Sequence, residues 1–144
     1  IDIGQEEMIV FDFSSLTNYE VNDEGKIVSL RLGMYESNNY WILSETILRL
    51  RRSLKHLCLF FCEQIPFNLN FPYLTHLRFI NCGNELLGNT TRVLIGIKPT
   101  LTTFGIARYE FGSNNISSLI TSVAKFPQLK RLMLIQGKDG DPDS

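Results

Sequence analysis

Two histidines and three cysteines carry the most reactive side chains of this sequence. His56 and His76 occupy the same position in two similar segments, and Cys58 follows the first histidine closely. A zinc site needs three or four ligands, and no carboxylate shares the histidine position. A pH-sensitive surface pair is the alternative for the histidines. We therefore predict no metal ion and no cofactor, and we expect the two imidazoles to be lateral neighbours.

Cys62 and Cys82 also occupy equivalent positions, close enough in register for a disulfide to be geometrically permitted. The chain has an odd number of cysteines and no C-x-x-C pair, which suits a reducing compartment better than a disulfide framework. A small, buried apolar residue is the favoured role of a cysteine at this position. We expect free thiols and a cytoplasmic or nuclear protein.

Two further motifs fall short of a recognisable site. A basic cluster follows a predicted helix and comprises Arg49, Arg51, Arg52 and Lys55. It could contact nucleic acid or an acidic partner, but cations at a helix C-terminus also complement the helix dipole, and we favour that role. The stretch from Gly83 to Gly88 has the outline of a phosphate loop, but Asn89 and Thr90 stand where Lys and Ser/Thr are needed. We predict no nucleotide site, no small-molecule substrate and no catalysis.

The composition is that of a folded domain with almost no net charge. The 144 residues are 44% hydrophobic and 20% charged, with a formal net charge of -1. This balance gives no preference for nucleic acid or an anionic membrane. No apolar run is long enough to span a bilayer, and no export signal opens the chain. Because the sequence does not start with Met, we expect it to be part of a longer chain.

The sequence repeats itself along most of its length. Residues 54–62 fit the pattern L-x-x-L-x-L-x-x-C, and residues 74–82 fit it with Phe79 in place of the third leucine. Weaker copies begin near residues 8, 27, 101 and 129. The earliest copy is carried by Met8, Phe11, Phe13 and Leu16. Proline stands two residues before three of the copies, at positions 72, 99 and 127, where it favours extended backbone. About six copies therefore occupy residues 1–137, and a polar tail follows at 138–144.

Each copy predicts one strand, because apolar residues such as Leu57 and Leu59 alternate with period two. Apolar residues at steps of three and four predict helices between copies. One runs from Tyr40 to Leu54, one follows Asn115 as the N-cap, and a shorter one covers 90 to 97. Residues 63–73 and 22–25 predict a loop and a turn. Neighbouring strands lie about 4.8 Å apart, whereas packed helices need about 8–10 Å. Because the helices take more room, such a stack would curve with its sheet on the inside.

These copies resemble cysteine-containing leucine-rich repeats, and their unequal lengths resemble the repeat region of fungal-type F-box/leucine-rich-repeat proteins. The resemblance implies an α/β fold, a leucine-rich-repeat solenoid with a parallel concave sheet and irregular helices and loops on the convex side. It also implies a non-catalytic module that holds the substrate of a ubiquitin ligase, with the ligase core bound by an F-box outside this chain. The alternatives are a leucine-rich-repeat segment of a GTPase-activating or receptor protein, or a structural filler stretch of a longer solenoid.

The expected binding surface is the set of strand positions outside the core, with basic and apolar side chains that suit a protein partner of some acidic character. A missing domain or a neighbouring chain covering Phe60, Ile80 and Ile135 is the alternative. The predicted protein-binding residues are Lys55, His56, Cys58, Phe60, Thr75, His76, Arg78, Ile80, Thr102, Thr103, Ala107, Lys130, Arg131, Met133 and Ile135.

Overall fold

The computed structural model describes residues 17–34, 37–107 and 113–135, which form a mixed α/β fold around one six-stranded sheet. The strands follow one another across the sheet in chain order. They are β1 Thr17–Val21, β2 Ile27–Gly33, β3 His56–Phe60, β4 His76–Ile80, β5 Thr103–Ala107 and β6 Arg131–Ile135. All neighbouring pairs from β2 to β6 are parallel, whereas β1 is antiparallel to β2.

Helices fill the longer connections between the parallel strands. They are α1 Ser37–Leu50, α2 Asn84–Gly88, α3 Thr90–Val93 and α4 Ser113–Val123. The connection from β3 to β4 contains neither a helix nor a strand. It instead buries Ile65, Leu69 and Phe71 in the core.

The core lies on one face of the sheet, because two side chains of each parallel strand point there and align across the strands. In β3 these are Leu57 and Leu59, which pair laterally with Leu77 and Phe79 of β4. All four are at most 2% exposed. Every helix adds a buried side chain to the same cluster, namely Leu43, Leu86, Val93, Leu119 and Val123. The helices therefore cover one face of the sheet.

The strands expected from the copies near 27, 54, 74, 101 and 129 are confirmed as β2 to β6. The expectation of a wholly parallel sheet is wrong at β1, because the short connection Asn22–Lys26 allows a hairpin but no parallel crossover. The predicted turn is confirmed: the Asn22 side-chain oxygen accepts hydrogen bonds from the backbone N–H groups of Glu24 and Lys26. Gly25 supplies the positive φ of 79°.

The helix predicted from Tyr40 is confirmed as α1, but it ends at Leu50 and not at Leu54, because a turn at 51–53 leads into the next strand. The loop at 63–73 is confirmed as well. The helix before Pro127 is also confirmed, but Asn115 is not its N-cap, since α4 begins at Ser113. The helix expected at 90–97 is limited to α3, and α2 was not expected. The copy at Met8, Phe11, Phe13 and Leu16 and the tail at 138–144 lie outside the described residues.

Two strands end with the same backbone feature. Phe61 after β3 and Asn81 after β4 have φ values of 58° and 56°, in the left-handed region that most residues avoid. Their N–H groups each donate a 3.0 Å hydrogen bond to the next strand, to the carbonyls of Ile80 and Ala107. The turn brings the following cysteine back under the sheet, so equivalent residues of the two copies share backbone geometry as well as type.

Candidate functional site

The face of the sheet opposite the core is formed by the alternate residues of each strand, and we call it the outer face. The residues of β2 to β6 on the outer face are Ser29, Arg31, Gly33, His56, Cys58, Phe60, His76, Arg78, Ile80, Thr103, Gly105, Ala107, Arg131, Met133 and Ile135. A shallow groove of about 220 Å³ lies on it. The groove is lined by Glu20, Ser29, Leu30, Arg31, His56, Leu57, Cys58, His76, Arg78, Thr103 and Met133.

The two histidines are neighbours at one end of the groove, as predicted. The imidazole rings of His56 and His76 are stacked, with centroids 4.2 Å apart and planes inclined by 6°. The hydroxyl of Thr75 lies 2.8 Å from Nδ1 of His76 and fixes that ring. Burial, the neighbouring His56 and Arg131 lower the pKa of His76 below its ordinary value. The neutral imidazole is therefore favoured at this position in the free protein.

Cys58 forms the floor of the groove between two arginines. Its side chain is 7% exposed, and it lies in register between Arg31 of β2 and Arg78 of β4. Burial raises the pKa of the Cys58 thiol, and the positive charges of Arg31 and Arg78 oppose that rise. Arg31 also stacks on Phe60, with its guanidinium carbon 4.9 Å from the ring centroid. The groove thus has a small apolar floor and cationic walls.

Gly105 makes room for the side chains on either side of it. A Cβ atom at this position would lie 3.3 Å from Cγ of Arg78 and 3.3 Å from Cε of Met133. Both side chains therefore lean over the glycine from the neighbouring strands. Our prediction from sequence omitted Gly105, although a glycine inside a strand often marks a close approach of this kind. It also omitted Ser29 and Arg31, because the copy near residue 27 is weak, and Glu20, which belongs to β1 and to none of the copies.

The other end of the outer face is apolar and largely buried. Cys58, Ile80 and Ala107 pack together with the half-buried Phe60. The expectation that outer-face residues are exposed is therefore wrong for Cys58, Ile80 and Ala107, which are at most 7% exposed. Strands about 4.8 Å apart bring these apolar side chains into lateral contact. Ile135 on the last described strand is 38% exposed.

Four predicted residues lie one position before the strands and do not line the groove. They are Lys55, Thr75, Thr102 and Lys130. Their backbones extend the ladder: the N–H groups of Thr75, Thr102 and Lys130 donate to the carbonyls of Lys55, Thr75 and Thr102 at 2.8–2.9 Å. These residues flank the groove, whereas six predicted residues line it, namely His56, Cys58, His76, Arg78, Thr103 and Met133.

The cysteines that end the two best copies are free and buried, as predicted. The Cys82 thiol donates to the carbonyl of Leu59 at 3.6 Å, and the Cys62 thiol lies 4.0 Å from the hydroxyl of Tyr40. Burial raises the pKa of Cys62 to about 11 and raises the pKa of Cys82 further. Both thiols therefore stay protonated and serve as small core residues.

The three arginines of the basic cluster lie at the C-terminal end of α1 as predicted, whereas Lys55 lies beside the groove. Arg49, Arg51 and Arg52 line a second depression of about 500 Å³ with Lys26 and Leu48. The side chain of Arg49 forms an ion pair of 3.5 Å with a glutamate one turn earlier. Its position fits the predicted complement to the helix dipole.

Comparison with protein-family models, curated proteins and solved structures finds no match to this chain. Within residues 17–34, 37–107 and 113–135, no helix is both long and apolar enough to cross a membrane. In the same part of the chain, no three His, Cys, Asp or Glu side chains gather closely enough to hold a metal ion. Function must therefore be inferred from the outer face itself.

Proposed function

We propose that this chain is part of a leucine-rich-repeat solenoid, that it recognises another protein through the outer face, and that it catalyses no reaction. One observation carries the proposal, the division of the sheet into two unlike faces. The described helices contribute their buried residues to the core on one face. All described residues that line the groove on the other face belong to the strands. A sheet face that no helix covers is a ready surface for a partner.

Repeated geometry supports the solenoid. Leu57, Leu77, Phe104 and Leu132 occupy one lateral row in four successive parallel strands, as equivalent positions of stacked copies would. The left-handed residue and the buried cysteine recur at the ends of β3 and β4. Helices wider than strands on one side would make the outer face concave.

The shape and chemistry of the outer face favour a protein over a small molecule. The groove is about 220 Å³, below the roughly 300–1,000 Å³ of ordinary small-molecule sites. Arginine, methionine and aromatic residues are enriched in protein interfaces, and Arg31, Arg78, Met133 and Phe60 lie together on this face. A groove of this size accepts one or two side chains of a larger partner.

Within this proposal the partner is a protein to be ubiquitinated, which follows from the resemblance of the copies to F-box/leucine-rich-repeat proteins. Segments of GTPase-activating or receptor proteins carry similar repeats and remain the alternative. The proteins that co-purify with the product of the whole gene distinguish the adaptor role from the alternative. Ubiquitin-ligase subunits that co-purify with the product of the whole gene would support the adaptor role, and their absence would refute it.

The recognition role is tested by blocking the outer face without changing its charge. Ser29→Tyr with Thr103→Tyr places two aromatic rings in the groove, where both residues are half-buried. The matched control, Thr91→Tyr with Ser118→Tyr, makes the same changes at exposed helix positions. We expect affinity capture from cell extract to recover a protein with the wild type and the control that the blocked variant loses. Equal recovery with all three proteins would refute the use of the outer face.

A further inference from the structure

We infer that the partner contributes an acidic segment to the outer face, with an aspartate or glutamate side chain entering the groove between Arg31 and Arg78. The inference rests on the proposed function, because it names the chemistry of the protein segment that the outer face would bind. It is drawn from the charges, the spacing and the support of these two arginines.

Positive charge prevails in and around the groove. Arg31 and Arg78 line it, and Arg131 occupies the next outer-face row beside Thr103. Among the described lining residues, Glu20 is the one carboxylate, and it belongs to β1 at one edge of the sheet. Within residues 17–34, 37–107 and 113–135, neither Arg31 nor Arg78 forms a salt bridge. The described lining of the groove thus carries more positive than negative charge.

The spacing of the arginines fits one carboxylate between them. They lie on β2 and β4, on either side of Cys58, so their Cα atoms are separated by two strand spacings, about 10 Å. Cys58 is small, and it lines the groove together with both arginines. Guanidinium groups bind carboxylates through paired, charge-assisted hydrogen bonds.

Both arginines are already supported in the free protein. Phe60 stacks against the guanidinium of Arg31, and the Arg78 stem leans over Gly105 beside Met133. Such support lowers the entropy lost when a ligand is bound. Because Phe60 and Met133 also present apolar surface beside the arginines, the acidic residue should be flanked by apolar ones.

A carboxylate fits this groove better than a phosphoryl group. Arg31 and Arg78 exceed the single carboxylate of the described lining, Glu20, by one positive charge. One carboxylate balances that charge, whereas a phosphoryl group, with its charge of about -2, would leave an excess of negative charge in the groove. The small groove also suits a single side chain of an extended segment. The inference is therefore specific to unmodified aspartate and glutamate.

Selection from a random peptide library displayed on phage tests the inference with the purified chain as bait. We expect the enriched peptides to share an aspartate or glutamate next to apolar residues. A synthetic copy of an enriched peptide should bind about tenfold to hundredfold more tightly than the same peptide with glutamine or asparagine at that position, since a hydrogen bond to a charged group contributes at this level.

Variants assign the effect to the groove. Arg78→Gln should remove most of the preference for the acidic peptide, and Arg31→Gln provides a second variant at an exposed side chain. The matched control is Arg92→Gln on α3, which removes the same charge from an exposed position outside the groove. Circular dichroism verifies that all three proteins are folded.

Three results would overturn the inference: enrichment of no peptide, equal binding of the acidic and amide peptides, or the same loss of affinity in Arg92→Gln as in Arg78→Gln. A peptide that binds only when it carries phosphoserine in place of the acidic residue would also overturn it. None of these results decides the proposed function, because the aromatic blocking variants test use of the outer face without reference to charge. Loss of capture in those variants together with no acidic preference would leave the function standing and the inference refuted.

Discussion

Phe104 provides a quantitative test of the arrangement of the sheet. It is fully buried, lies in register between Leu77 and Leu132, and meets Phe79 edge to face with ring centroids 5.6 Å apart. Phe104→Ala removes the ring and leaves a cavity, which costs about 3–5 kcal/mol of unfolding free energy. Thr103→Ala in the same strand is the control. The Thr103 side chain points to the outer face, so this substitution should lower the unfolding free energy by less than about 1 kcal/mol.

Urea unfolding followed by circular dichroism measures both variants. Domains of this size have about 5–15 kcal/mol of stability, so Phe104→Ala should still fold at low urea. With a denaturant slope of about 2 kcal/mol/M, its midpoint should fall by about 1.5–2.5 M. A loss below about 1 kcal/mol, or a loss in Thr103→Ala equal to that in Phe104→Ala, would refute the assignment of the two faces.

Three further predictions concern single sites. Burial and raised pKa values should protect Cys58, Cys62 and Cys82 from a thiol reagent near pH 8, with all three labelled only after unfolding; fast labelling of the native protein would contradict this. The fold lowers the pKa of His76 and therefore favours its neutral ring. The neutral ring contributes its full share of the unfolding free energy above about pH 6.5, and this share is lost as the pH falls through the lower pKa of the folded state. Wild-type stability should therefore fall more between about pH 7.5 and 5.5 than that of His76→Asn, and equal falls would count against the assignment. Asn81 has a φ of 56°, so Asn81→Val should lower the unfolding free energy by about 1–2 kcal/mol, whereas Asn81→Gly should leave it almost unchanged. Equal urea midpoints for the two variants would rule out the left-handed backbone.

The core face could be predicted from the sequence because its signals are local. Leu57 and Leu59 stand two positions apart and recur as Leu77 and Phe79 in the next copy, and this repeated spacing assigns the strands and their buried face. The helix α1 follows in the same way from apolar steps of three and four. The strand β1 was not predicted, although Tyr19 and Val21 alternate with Asn18 and Glu20, because the segment matches none of the repeat copies and its place depends on the hairpin turn.

The outer face was predicted in outline but not in detail. Repeat alignment correctly made His56 and His76 neighbours, since it fixes lateral register between copies. The burial of Cys58 and Ile80 depends on packing among strands that are distant in sequence, with Arg31 stacked on Phe60 beside them. Arg31 comes from a weak copy, so its role in the groove required three-dimensional structure.

Site-specific photo-cross-linking tests most directly whether this chain binds a protein through the outer face. Benzoylphenylalanine at position 103 would lie in the groove, and the same group at position 118 would lie on the exposed side of α4. We expect irradiation in cell extract to give a discrete protein adduct from position 103 and none from position 118. An adduct from position 118 without one from position 103 would contradict recognition through the outer face.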